Sequence, residues 1–357
     1  MLNTKTQMIN LNKTEYRQYS KQLILGNIGT YGQKRLKTAK ILIIGLGGLG
    51  CPIILYLTAA GIGNIGIVDH DVIDLSNLNR QILYNLNDLN KSKSIQASSF
   101  IKNINQECKI TTYNHKLTET NVKQIIKLYD IIIDATDNFE ARYLIDEICY
   151  KLHKTCIYGA INQYEGHVSV FNYKNNTRFI DIYPKNLALT DITCNENGIL
   201  GSMSGIIGIL QATEAIKVIL GIGQLLNGVL LKYNLLNASF QKILLRPIKQ
   251  TTSNQIIHHK PIISHEIIEI NDISKINKNT YIILDIRNPI EFNLNHFDQA
   301  INIPLYYFQT QKIINFLTQY SKNYNLILIC NNLTKSITLS NLLIKYQIKA
   351  YIMKKKL

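Results

Sequence analysis

Gly45-Leu46-Gly47-Gly48-Leu49-Gly50 lies between a short apolar run and a helical one. That spacing suits phosphate, which backbone N–H groups and a helix N-terminus hold where no side chain blocks the approach. Asp69 comes 19 positions after Gly50, where a carboxylate can take ribose hydroxyls. These residues alone fit a NAD-dependent dehydrogenase about as well as an ATP enzyme.

The following residues separate the two. Asp71, Ser76, Asn77, Leu78, Asn79 and Arg80 come directly after the strand that ends in Asp69, Lys93 follows a short loop later, and Asp137-Asn138 comes just past another strand end. Residues in such places converge on the crevice where open α/β sheets bind ligands. Two cations with two or three carboxylates fit hydride transfer to a flat nicotinamide poorly. They fit a triphosphate with Mg²⁺, where cations offset charge on phosphorus as pyrophosphate leaves.

The elements that must hold these groups are legible. Tyr16 to Lys37 reads as helix, turn and helix around Gly26, Gly29 and Gly32, and Ala39 to Ile44 as a strand buried on both faces. Pro52 to Ala60 reads as a helix, and Ile65 to Asp69 as the next strand. A helical stretch at Val122 to Leu128 leads to further strands at Asp130 to Asp134 and Cys156 to Gly159. Such alternation implies right-handed crossovers and a Rossmann-like, doubly wound, mostly parallel α/β sheet. Around Leu245 to Lys260 the pattern lapses into polar residues, so residues 1–248 form one domain, 249–261 a linker and 262–357 a smaller α/β domain. Tyr281 to Asp285 and Leu326 to Cys330 are its expected buried strands.

Composition sets the outer limits. A chain of 357 residues with 46% apolar content is long enough for two cores. No apolar run is expected to approach the roughly 20 residues that span a bilayer, and the polar first residues do not resemble a secretory leader. A soluble protein with no membrane partner is the expectation. Six scattered cysteines without a Cys-x-x-Cys pair point to a reducing compartment and exclude a cysteine-rich zinc site. The formal charge of +15 suits acidic partners. Abundant Asn, Ile and Lys and absent Trp are also expected of an AT-rich genome, which explains much of that charge and hints at an organelle. Plastid stroma is then the expected location, otherwise cytoplasm. The lysines form no aromatic-interleaved patch, so nucleic acid is not an expected partner.

The chain from Tyr19 to about Arg246 resembles the MoeB/ThiF/HesA family, relatives of the ubiquitin-activating enzymes. The resemblance rests on Gly45 to Gly50, Asp69-His70-Asp71, Ser76 to Gln81, Lys93, Ala135-Thr136-Asp137-Asn138 with Arg142, and Gln211 to Lys217. It implies a nucleotidyltransferase that uses ATP and Mg²⁺ to adenylate the terminal glycine of a ubiquitin-like sulfur carrier of the MoaD or ThiS kind. Gly48 would back the phosphates with Gly45 and Gly47 beside it, and Asp69 would hold the ribose. Asn77 and Arg80 would contact the triphosphate, and Asp71, Ser76, Leu78, Asn79 and Asn138 would also belong to the nucleotide site. Lys93 would neutralise charge at the attacked phosphate, and Asp137 would coordinate Mg²⁺. A homodimer with shared nucleotide sites is implied, as is a place in molybdenum cofactor biosynthesis. Thiamine and tRNA-thiolation carriers are the alternatives.

The sequence departs from that family at several points. Lys21 in Tyr19-Ser20-Lys21-Gln22 stands where the family has an arginine thought to act in trans, keeping the charge but losing the bidentate fork. The two Cys-x-x-Cys pairs of many relatives, expected near Phe179 and Ile182 and just after Pro247, are not in the sequence, so no zinc is expected. Cys194 matches a thiol that some relatives link covalently to the activated carrier. The other cysteines, Cys51, Cys108, Cys149 and Cys156, read as small buried apolar residues.

In the tail, Asp285 to Phe292 and His296 to Leu305 resemble a rhodanese domain, cut short before its usual final helix. Cys330, opening the Cys330 to Ser336 loop, stands where a persulfide would form, although Lys335 is that loop's sole cation. Two rivals from other classes are a non-catalytic carrier-binding scaffold, suggested by Lys21 and the altered Cys330 loop, and the disfavoured NAD-dependent oxidoreductase.

Overall fold

A computed structural model describes residues 9–185, 198–246, 267–269, 281–330, 333–344 and 346–354. The chain forms two compact units, Met1–Gln250 and Thr251–Leu357. The 249–261 stretch read as a linker lies outside the described residues, as does Cys194.

The first unit is built on one eight-stranded sheet. Its parallel part comprises β1 (Lys40–Ile44), β2 (Asn64–Val68), β3 (Lys109–Tyr113), β4 (Ile131–Asp134) and β5 (Thr155–Asn162). An antiparallel part adds β6 (Glu165–Phe171), β7 (Val229–Asn234) and β8 (Ser239–Leu244), giving the order β3-β2-β1-β4-β5-β6-β7-β8. Ile41, Leu42, Ile43, Ile131, Ile132 and Ile133 are fully buried, as expected of central strands covered on both faces. The chain leaves β1 toward β2 and β3, then crosses to β4 on the other side. That order reversal opens a crevice at the carboxyl ends of β1 and β4. Cys51, Cys108, Cys149 and Cys156 are buried within this unit.

The Gly201–Leu220 helix corrects the expectation about apolar runs. It has 20 residues and is long and apolar enough to cross a bilayer, yet 61% of its apolar window is buried inside the unit. It packs along the Gly50–Ala59 helix and onto β5 and β6, which is the environment of a core helix hydrophobic nearly all round.

Phe179 and Ile182, where the resemblance places ligands in zinc-binding relatives, lie on the Phe179–Ile182 turn of helix. Phe179 is buried among Tyr143, Tyr158 and Tyr183, with ring centroids 5.3, 5.4 and 5.0 Å away. Asp146 accepts from the Phe179 N–H at 2.9 Å and pairs with Arg178 at 2.7 Å. Aromatic packing and a buried ion pair hold this segment down.

The second unit has a five-stranded parallel sheet in the order β11-β10-β12-β13-β9, from β9 (Ile267–Glu269), β10 (Tyr281–Asp285), β11 (Ile301–Asn302), β12 (Asn325–Ile329) and β13 (Ala350–Lys354). Arg287 and Asp285 form a buried pair at 2.6 Å, and Asn302 Nδ2 donates to both of their carbonyls at 3.0 Å. Cys330 is buried just past β12.

Candidate active site

The glycine turn begins where β1 ends. Gly45 has φ +95°, and a Cβ there would lie 2.6 Å from the Ala135 carbonyl oxygen. Only glycine tolerates both conditions, so the turn sits against the start of the loop that carries Asp137. On its other side, a Cβ on Gly48 would lie 2.8 Å from Ser204 Oγ and 3.5 Å from Arg80 Cγ. The turn is thus bordered by Arg80, by the Gly201–Leu220 helix and by the loop after β4.

Asp69 ties the turn to the second strand. Its Oδ2 accepts from the Leu46 N–H at 2.7 Å and its Oδ1 from the Asp71 N–H at 2.8 Å. Burial pushes the carboxyl up from its ordinary value, and the two backbone bonds oppose that shift. Each oxygen keeps a further lone pair for a ligand hydroxyl. Tyr84 Oη braces the same region, within 3.2 Å of the Leu46 carbonyl and 3.3 Å of the Lys93 carbonyl.

Lys93 opens the Lys93–Ile104 helix. Its N–H donates to the Asp71 carbonyl at 3.0 Å and its ammonium to Asp71 Oδ2 at 2.9 Å. The lysine side chain is 6% exposed and that of Asp71 54%, so a buried cation is steered by a carboxylate on the surface. Asp69, His70 and Asp71 also bring one potential ligand atom each within 4.8 Å of one another, a grouping the sequence reading did not assign to a metal.

Arg80 is presented by a loop that bonds to itself. Asp74 accepts from Ser76 N at 2.8 Å and caps the Leu75–Asn77 turn. Asn77 Oδ1 accepts from the Asp74 N–H, Leu78 packs on the core, and Arg80 Nη1 donates to the Ser76 carbonyl and Asn79 Oδ1 at 2.9 and 3.0 Å.

Asp137 is exposed and forms no hydrogen bond among the described residues, while Asn138 caps the Phe139–Lys151 helix by accepting from the Ala141 N–H at 2.8 Å. The loop is clamped beneath. Buried Asp134 accepts from Thr136 N and Oγ1 at 3.0 and 2.7 Å, and Arg142 Nη2 donates to the Thr136 carbonyl at 2.7 Å and the Gly159 carbonyl at 3.3 Å. Gln211 Nε2 bridges the Asp134 and Ile157 carbonyls at 2.8 and 3.3 Å.

The structure therefore gathers Gly45, Gly47, Gly48, Asp69, Asp71, Arg80 and Lys93 around one turn, with Asp137 two residues past Ala135, where its loop meets that turn. Ser204, Tyr84, Asp134 and Gln211 were not singled out from the sequence. Ser204 and Gln211 meet groups distant in the chain, Tyr84 bridges the Leu46 and Lys93 carbonyls, and Asp134 holds the neighbouring Thr136; only Gln211, first residue of the Gln211 to Lys217 stretch, carried a signal. Lys21 is exposed on the Ser20–Leu23 helix, beside exposed Ile24 and Leu25. Cys330 belongs to the second unit. Chemically, the first-unit site offers backbone donors, two cations and carboxylate oxygens around a cradle open to phosphate.

The chain is similar to known proteins. The ThiF family model matches residues 19–254. Over 344 residues the chain is 45% identical to a probable molybdopterin-synthase adenylyltransferase of Gracilaria tenuistipitata var. liui, covering 96% of this chain and 97% of that protein. It is 33% identical over 321 residues to an adenylyltransferase and sulfurtransferase MOCS3 of Aedes aegypti, covering 83% and 74%. Among solved structures, the microcin C7 biosynthetic enzyme MccB in complex with N-formylated MccA aligns with a TM-score of 0.58 at 18% identity, covering 70% of this chain and 76% of that one. That likeness concerns the fold alone. A family match over residues 19–254, together with a relative aligned over nearly its full length, leads to one conclusion: this chain belongs to the ThiF family.

Proposed function

We propose that the chain adenylates the C-terminal glycine of a ubiquitin-like sulfur-carrier protein, the small subunit of molybdopterin synthase, in molybdenum cofactor biosynthesis. The observation that carries this reading is the placement of Arg80 and Lys93, and of the loop that carries Asp137, about one closely packed glycine turn. A Cβ on Gly48 would lie 2.8 Å from Ser204 Oγ, and one on Gly45 2.6 Å from the Ala135 carbonyl oxygen. Near full-length relatives named as adenylyltransferases support it.

In this reading ATP lies with its phosphates on the turn and its ribose against Asp69. A carrier carboxylate oxygen attacks the α-phosphorus, the bond to the β-phosphate oxygen breaks, and its electron pair leaves on pyrophosphate. The carboxylate is already ionised near neutral pH, so no side chain need take a proton. Lys93 and Arg80 offset charge building on the phosphates, and Asp71 keeps the Lys93 ammonium aimed. Asp137 suits Mg²⁺, a hard cation that is held by one or two carboxylates plus phosphate oxygens. When bound, Mg²⁺ neutralises triphosphate charge.

The reading extends to a homodimer in which Lys21 reaches the partner's nucleotide, to a plastid location, to Cys194 as a covalent acceptor thiol and to Cys330 as a persulfide thiol. The relative named both adenylyltransferase and sulfurtransferase supports the last of these. Carrier-dependent exchange of labelled pyrophosphate into ATP tests the adenylation step. A purified protein with its carrier, ATP and Mg²⁺ that gives no exchange is a scaffold and contradicts the reading.

A further inference from the structure

Arg80 and Tyr84 ride on one loop. The Gln81 N–H donates to the Asn77 carbonyl at 2.9 Å and the Tyr84 N–H to the Gln81 carbonyl at 3.2 Å. The chain thus turns inward soon after the site arginine, and the Tyr84 side chain joins the buried cluster that contains Leu46, Ile73, Leu83 and Ala97.

Its hydroxyl lies between two parts of the site. Tyr84 Oη is 3.2 Å from the Leu46 carbonyl oxygen, in the glycine turn. It is 3.3 Å from the carbonyl oxygen of Lys93, first residue of the helix that carries the buried ammonium. Both distances exceed the about 2.7–2.8 Å of an ordinary O–H···O bond. A phenol has one proton to give, so the two carbonyls share it. Burial pushes this phenol up from its ordinary value, with Cys51, Asp69 and Asp71 adding to the shift, so it stays a neutral donor near neutral pH.

The residues behind those carbonyls give the contact its meaning. Leu46 sends its N–H to Asp69 Oδ2 at 2.7 Å, and Lys93 sends its N–H and its ammonium to Asp71 at 3.0 and 2.9 Å. One hydroxyl therefore joins the glycine turn to the Lys93–Ile104 helix, from a loop that also presents Arg80. A phenylalanine ring would fill the same place in the cluster without a buried hydroxyl to satisfy.

We infer that Tyr84 is a positioning residue for adenylation, its shared hydroxyl proton fixing where the Lys93 ammonium stands relative to the phosphates on the glycine turn. The inference rests on the adenylation reading, which makes Lys93 the cation at the attacked phosphate. Tyr84 itself touches neither nucleotide nor carrier. It acts through the backbone of the residue whose side chain does.

The test is carrier-dependent pyrophosphate exchange by full-length protein with its sulfur carrier, ATP and Mg²⁺, comparing wild type, Tyr84→Phe, Lys93→Ala and the double variant. Phenylalanine keeps the ring and removes the shared proton. Tyr84→Phe should stay folded by chemical denaturation and lower the exchange kcat roughly three- to tenfold, the worth of one ordinary hydrogen bond, with the carrier KM unmoved. On the Lys93→Ala background the same change should cost less than about twofold, because no ammonium is left to place. A Tyr84→Phe kcat equal to that of wild type overturns the inference. So does a loss just as large on the Lys93→Ala background, since the hydroxyl would then support the fold alone. A wild type that gives no exchange fails the adenylation reading, and the inference falls with it.

Discussion

Gly48 and Ser204 approach so closely that a Cβ on the glycine would lie 2.8 Å from the serine Oγ and 3.0 Å from its Cβ. The turn and the Gly201–Leu220 helix are fitted to each other with no spare volume, and Arg80 borders the same gap. Gly48→Ala should therefore weaken ATP binding by about tenfold or more through displacement of the turn. Adding Ser204→Gly should recover much of the loss, less about 1 kcal/mol of stability from glycine inside a helix. Calorimetric ATP titration of both single variants and the double variant measures that coupling. Strictly additive losses would show that the contact is unimportant.

Lys93 and Asp71 give a graded pair of expectations. Removing the buried ammonium with Lys93→Ala should lower exchange by about a hundredfold or more, the usual cost of deleting one electrostatic group at a developing charge. Asp71→Asn keeps the shape of the partner at its 2.9 Å contact but not its charge, and should cost roughly tenfold at most. Steady-state exchange rates decide the order, and a larger effect at Asp71 would reverse the assignment.

Arg142 acts on Asp137 through the backbone. It donates to the Thr136 carbonyl at 2.7 Å and lies beside buried Asp134. Arg142→Leu would strand that carboxylate and should lower stability by about 3 kcal/mol. Arg142→Lys keeps charge but loses the fork, so it should leave a folded protein with a reduced exchange rate. Chemical denaturation and exchange assays separate the two effects.

Acidification should affect ATP binding before it affects folding. Burial holds the Asp69 carboxyl above its ordinary value of 3.8. A group raised in the folded state takes up its proton more readily there than in the unfolded chain. Its protonation therefore adds stability as pH falls through the folded value, and that increment is lost as pH rises again. Ribose loses a charged acceptor over the same interval. ATP affinity in Asp71→Asn, which removes the neighbouring titration, should decline between neutral pH and about pH 4 with no matching fall in the unfolding midpoint. A flat affinity profile contradicts the role of Asp69.

The sequence made the parallel half of the sheet readable and left the antiparallel half dark. Ile41 to Ile44 and Ile131 to Ile133 are continuous apolar runs because both faces are covered, and such runs need no context. β6 mixes Glu165, His167 and Ser169 with Val168 and Val170, and follows β5 through Gln163-Tyr164 with Gln163 at φ +54°, which no Asn-Gly signal announces. β3, Lys109–Tyr113, has an exposed and intermediate face throughout and sits at the sheet edge. At the site, charges close to the strand ends were legible from spacing. Ser204 was not, and Gln211 was legible only as part of a family stretch and not for its contacts, since each meets its partner from a helix more than fifty residues away in the chain, a contact only the fold reveals.

The most direct test of the central claim is carrier-dependent ATP–pyrophosphate exchange by wild type, Lys93→Ala and Asp137→Ala, with each variant shown to be folded. The account predicts exchange in wild type and a loss of about a hundredfold or more in both variants. Undiminished exchange in either variant would contradict it.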